Sequence, residues 1–163
     1  VGGVIECVVK GMMPGIGEPV FEKLDANLAK AVMSIGAVKG VEIGDGFASA
    51  ESFGSSNNDA FCLDQDKHIT KATNHAGGIL GGISDGSDVI LRAAVKPTPS
   101  IAKTQQTVNR DKEPIAIEIG GRHDPIIVPR AVVVVEAMTA ITVFDMMMES
   151  MSSNLDRIKR FFS

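Results

Sequence analysis

Tryptophan and tyrosine are absent from this chain, and its aromatic content is seven phenylalanines, 4% of 163 residues. Base-stacking platforms of the kind that grip single-stranded nucleic acid are therefore not expected. A net charge of -4 at pH 7 gives no global nucleic-acid-binding surface either. The two cysteines, Cys7 and Cys62, lie far apart with no CxxC, so reduced thiols are expected rather than a disulfide framework. His68, His75 and His123 lack i, i+4 spacing and HExxH does not occur, so no metal site is expected. There is no Walker A and no convincing GxGxxG. No signal or transit peptide is visible. That absence carries little weight: the chain opens at Val1 inside a strand-like run, and its true N-terminus is expected to be missing. The one long apolar run, Ala131 to Met148, contains Glu136 and Asp145, which disfavours a membrane span.

What is present fits a globular protein: 44% hydrophobic and 22% charged residues, on a length that suits about one domain with a real core. No internal repeat or linker divides it, so 1–163 is read as one piece. Val1 to Lys10 is rich in Val and Ile and reads as a strand. Pro19 suits the first turn of a helix, and Val20, Leu24, Leu28, Ala31, Val32 and Ile35 continue with helical spacing to about Gly36. Val38 to Ile43 is a strand stopped by Gly44-Asp45-Gly46. Phe47 to Thr73 has no periodicity and reads as a lid or a disordered insertion, with mobility favoured. Ile79 to Val95 reads as a hairpin turning at Ser84-Asp85-Gly86-Ser87. Gln105 to Asn109 and Pro114 to Ile119 read as two further strands. Pro129 opens a long helix, apolar on nearly every side and so expected to be buried on most faces. Ser152 to Ser163 is a terminal helix or a frayed tail. Strands linked by hairpins, two long helices and no regular βα alternation give an α+β fold.

Polar chemistry is densest at Gly120-Gly121-Arg122-His123-Asp124-Pro125. A guanidinium there suits phosphate or carboxylate, and Asp124 would accept a proton or hold Arg122 in place. The competing reading is a solvated loop with a surface ion pair. Gly82-Ile83-Ser84-Asp85-Gly86 matches the GxSxG serine elbow, but a strand follows where the elbow needs a helix, and an Asp-Gly turn explains the same residues. The glycines around His75 would let a ligand approach backbone N–H groups. Lys96 would place a cation on a backbone stiffened by Pro97. Together, Asn74 to Gly82, Lys96 to Ser100 and Gly120 to Asp124 are expected to gather around one concave site for an anionic ligand.

Five segments, in order, resemble chorismate synthase: Gly17-Glu18-Pro19-Val20-Phe21, the run from Val38 to Phe47, Asn74-His75-Ala76-Gly77-Gly78-Ile79-Leu80-Gly81-Gly82, Lys96-Pro97-Thr98, and Gly121-Arg122-His123-Asp124-Pro125. The resemblance implies a cytoplasmic shikimate-pathway lyase. It converts 5-enolpyruvylshikimate 3-phosphate to chorismate by 1,4-anti elimination of phosphate, using reduced FMN in a reaction with no net redox change. It places flavin contacts on Gly36, Ala37, Gly81, Lys96, Pro97, Thr98, Pro99, Ser100 and Arg122. Gly36 departs from the pattern, where a side chain such as Asn is expected, so contact there would be through backbone. Asp124 corresponds to the family's acidic residue near the flavin, in proton handling or cofactor orientation, and with Arg122 forms the implied catalytic pair; His123 shapes the loop. The family's His-Gly-Glu-Ser-His-Gly segment, its Arg-rich substrate contacts and its two acid histidines do not occur here. The resemblance therefore implies a C-terminal portion: half of a layered β-α-α-β sandwich, from a homotetramer, inactive alone and at most a flavin-binding module.

Overall fold

A computed structural model describes residues 1–122 and 124–163; the reading of His123 as a loop-shaping residue lies outside them. The first strand, β1 (Gly3–Val9), leads through a turn-rich stretch into helix α1 (Leu24–Met33). The helix begins later than Pro19. Val20 takes a left-handed φ of 69°, and Val20 and Phe21 point into solvent. The stripe that counts is Leu24, Leu28 and Val32, four residues apart and fully buried. Asp25 in the first turn and Lys30 in the last suit the helix dipole.

β2 (Val38–Ile43) follows, as expected. The next stretch is not featureless. It forms a 3₁₀ turn (Gly46–Glu51), a single-turn helix α2 (Gly54–Asn57) and a small hairpin of β3 (Phe61–Leu63) with β4 (Ile69–Lys71). Cys62 thus sits on a strand, exposed, while Cys7 is half-buried in β1.

The expected Ile79–Val95 hairpin is two separate things. β5 (Ile79–Leu80) pairs only with β6 (Ile83–Ser84), and β7 (Val89–Val95) runs on to become the centre of a three-stranded antiparallel sheet, order β1-β7-β2. The alternation in β7 explains this. Val89, Leu91, Ala93 and Val95 face the core, while Arg92 on the other face lies opposite both Glu6 and Glu42. β8 (Gln105–Val108) and β9 (Pro114–Ile117) form an exposed hairpin, as read.

Helix α3 (Val128–Ser152) has Pro129 in its first turn, and α4 (Leu155–Phe162) is capped by the Asn154 side chain. α3 is long and apolar enough to cross a membrane by length and composition. It packs one stripe, Val135, Thr139, Val143, Met146 and Ser150, into the core shared with α1 and β1. Burial on most faces is not what the structure has. Val133, Ile141 and Phe144 are more than 60% exposed, because nothing among the described residues covers that side of the helix. The architecture is α+β, with small antiparallel sheets, of which the three-stranded one is packed against α1 and α3.

Candidate functional site

One end of the three-stranded sheet gathers several of the expected site residues. β7 stops at Val95, where Gly3 of β1 and Val38 of β2 lie beside it. The Lys96 N–H donates to the Ala37 carbonyl at 2.9 Å, so Gly36-Ala37 and Lys96 are neighbours although sixty residues apart in sequence. Gly2 and Gly3 close the other side. A Cβ on Gly2 would meet the Val95 carbonyl oxygen at 2.5 Å and Pro97 Cδ at 3.2 Å, and one on Gly3 would meet a Val128 methyl at 3.0 Å. The Val1 backbone nitrogen lies 3.1 Å from the Pro125 carbonyl oxygen. Two small residues thus let the Lys96–Pro97 corner and the Pro125–Val128 corner flank the start of β1 closely.

Within this group Lys96, Pro97 and Pro99 are exposed, and Ser100 is half-buried. Thr98 Oγ1 is shielded from solvent and has no hydrogen-bond partner among the described residues. A shielded hydroxyl without a partner is costly unless something completes it. Arg122 is exposed and forms no ion pair among the described residues. Asp124 does not hold Arg122. Its Oδ2 accepts a 2.6 Å charge-assisted bond from Arg130 Nη1 in the first turn of α3. Over residues 122–130 the sequence sets two arginines, Arg122 and Arg130, against one carboxylate, Asp124, in an acidic chain.

Gly81 does not join them. It lies exposed at the β5–β6 turn with a φ of 61°, and its neighbour Gly82 accepts the Leu24 N–H at 2.7 Å, at the start of α1. Ala37 follows the other end of that helix. The ten residues of α1 span about 15 Å. Gly81 and the Ala37–Lys96 contact therefore lie toward opposite ends of α1, and the direct contacts join Gly36-Ala37 to Lys96-Pro97.

The GxSxG serine is structural. Ser84 is 3% exposed; its Oγ accepts the Ile16 N–H at 2.8 Å and donates to the Met13 carbonyl at 2.6 Å. Its one hydroxyl proton is committed, and no helix follows it, so it is no nucleophile.

A second polar cluster was not foreseen. Lys71 on β4 pairs with Asp85 and lies 3.8 Å from Asp59, with Lys71 and Asp59 each 3% exposed. Asp59 also accepts from the Thr73 hydroxyl (2.7 Å) and the N–H groups of His75 (2.8 Å) and Ala76 (2.9 Å). His75 Nδ1 meets Asp45 at 2.7 Å. Burial pushes the Asp59 and Asp85 carboxyls up, but the hydrogen bonds each accepts and the Lys71 charge outweigh it, and both lie below the usual carboxylate range. Lys71 comes from β4 and its partners from separate loops, with no period linking them. The polar character of 57–59 and 64–68 was the only hint in the sequence.

Residues 1–148 match the family model described as chorismate synthase. The chain is 63% identical over 162 residues to the chorismate synthase of Lachnospira eligens, covering 99% of this chain and 44% of that protein. It is 62% identical over 149 residues to that of Archaeoglobus fulgidus, covering 91% and 41%. A solved structure titled as the crystal structure of chorismate synthase superposes with a TM-score of 0.74 at 33% identity, covering 99% of this chain and 41% of that one. The chain spans less than half the length of these relatives.

Proposed function

Since the chain belongs to the chorismate synthase family, we propose that it supplies the C-terminal portion of a phosphate lyase that turns 5-enolpyruvylshikimate 3-phosphate into chorismate and phosphate. The elimination breaks one C–O bond to phosphate and one ring C–H bond. It needs cations for the departing dianion and an acceptor for the proton. The observation that supports the reading is the approach, at one sheet end, of Gly36-Ala37, Lys96-Pro97 and the Pro125–Val128 corner, which Arg122 and Asp124 directly precede in sequence.

Reduced FMN, when bound, supplies transient electron donation. The residues present fit such a group: the shielded Thr98 hydroxyl wants a partner, and Lys96 and Arg122, which form no ion pair among the described residues, offer cations for anionic groups. The backbones of Gly36, Ala37, Pro97, Pro99 and Ser100 would wall the site. Gly81, at the far end of α1, would meet ligand only with surface from another part of the assembly. Asp124 would accept or relay a proton through the carboxylate oxygen that Arg130 leaves open.

The exposed apolar side of α3 fits a central layer of helices, with this chain as half of a β-α-α-β sandwich within a homotetramer. A cytoplasmic setting follows from the same reading. The 163-residue chain alone is a non-catalytic module. The test is direct: the full-length protein, given 5-enolpyruvylshikimate 3-phosphate and reduced FMN anaerobically, should release chorismate and phosphate in equal amounts, and the isolated chain neither. No product from the full-length protein, or chorismate from the isolated chain, would overturn the corresponding part.

A further inference from the structure

The first turn of α3 breaks a local rule. It carries no acidic residue and no side-chain cap, yet Arg130 sits there, a cation at the positive end of a 25-residue helix. Helix stability does not ask for Arg130 at that position. Its guanidinium reaches back to Asp124, 2.6 Å away. The arginine is 72% exposed and the aspartate 34%, so this is no buried ion pair holding the core together. Asp124 follows the flexible pair Gly120-Gly121, with Gly121 at a φ of 117°. Arg130, by contrast, stands on a helix whose Val135, Thr139 and Val143 are locked in the core.

We propose that Arg130 is a positioning residue: it draws Asp124 Oδ2 toward α3, keeping the carboxylate off Arg122, so that the Arg122 guanidinium stays open to an anionic ligand group and Asp124 Oδ1 to the reacting ligand. Among the described residues Asp124 Oδ1 accepts no hydrogen bond and Arg122 makes none, which is the division this role requires. Two residues apart on a glycine-led loop, Arg122 and Asp124 would otherwise pair with each other. The inference rests on the reading of Arg122 and Asp124 as site residues given above.

The test uses the full-length enzyme and FMN titration followed by flavin fluorescence, alongside turnover. R130A should weaken FMN binding about tenfold, because Asp124 then competes for Arg122, and should lower kcat roughly 100-fold through misplacement of the carboxylate. R130K, which keeps a cation within reach of Asp124, should recover most of both. The decisive variant is R130A/D124N, which removes the competitor: its FMN affinity should return to that of D124N alone. Melting temperatures monitor folding, and R130Q replaces R130A should the latter not fold. Wild-type FMN affinity in R130A, or additive losses in the double variant, would overturn the positioning role while leaving the site reading intact. If R122A binds FMN normally and D124N turns over normally, the site reading itself falls, and this inference with it.

Discussion

Lys71 and Asp85 form an ion pair with 3% and 7% of their side chains exposed, and it ties the β3–β4 hairpin to the loop after β6. Asp59 sits on the other side of the same ammonium. Lys71→Ala strips the cation from two buried carboxylates, a loss of about 3–5 kcal/mol. Hydrogen exchange in 46–73 should rise far more than in β7. Unchanged exchange there would show that the pair is not what holds the segment.

The same cluster sets a response to acid. Asp59 and Asp85 have folded pKa values below the ordinary carboxyl value of 3.8 that holds in the unfolded chain. Their stabilisation is present in full above the unfolded value and is lost as pH falls through the folded values. The hairpin should loosen below about pH 4. Asp59→Asn and Asp85→Asn should each flatten that acid transition in a circular-dichroism or exchange titration.

Ser84→Ala removes a hydroxyl that bridges Ile16 and Met13. The Ile16 N–H is left unsatisfied, at a cost of about 1–3 kcal/mol. Melting temperature should fall. A serine-directed phosphonate should label neither form, and labelling of the wild type would contradict the structural role.

Arg122→Ala in the full-length enzyme should weaken binding of FMN or of the phosphorylated substrate by about 2–5 kcal/mol, as for truncating one partner of a desolvated charge pair. Equilibrium titration of each ligand checks this. Unchanged affinity for both would remove Arg122 from the site.

Ile141 and Phe144 on α3 are 62% and 65% exposed. If this side joins a central helical layer, Ile141→Glu with Phe144→Glu should break up the full-length assembly, seen by light scattering. An intact assembly would place the central layer elsewhere.

Elements with a long, unambiguous pattern were legible in the sequence. β2 was bounded by its glycines, and α3 outran any strand through Glu136, Ala137, Met138 and Ala140. The start of α1 was misjudged because Val20 and Pro19 fit helix rules that the turn at 18–23 overrides, with Glu18 N–H bonding the Glu22 carbonyl. β3 and β4 are three residues each, too short to show alternation. Partnership was harder still. That Asp124 chooses Arg130 depends on where α3 begins, and that Gly81 stands apart depends on the length of α1. The Lys71 cluster is assembled entirely by tertiary contacts.

Gly44 and Gly77 touch back to back. A Cβ on either would lie 2.5 Å or less from the other's backbone nitrogen, and both have φ near 60°. This contact is what lets the turn at Asp45 reach His75. A library randomising both codons together should therefore return glycine at each, with no compensating pair. The seam behaves as a single indivisible letter of the protein's code, because no change at one position makes room for a change at the other.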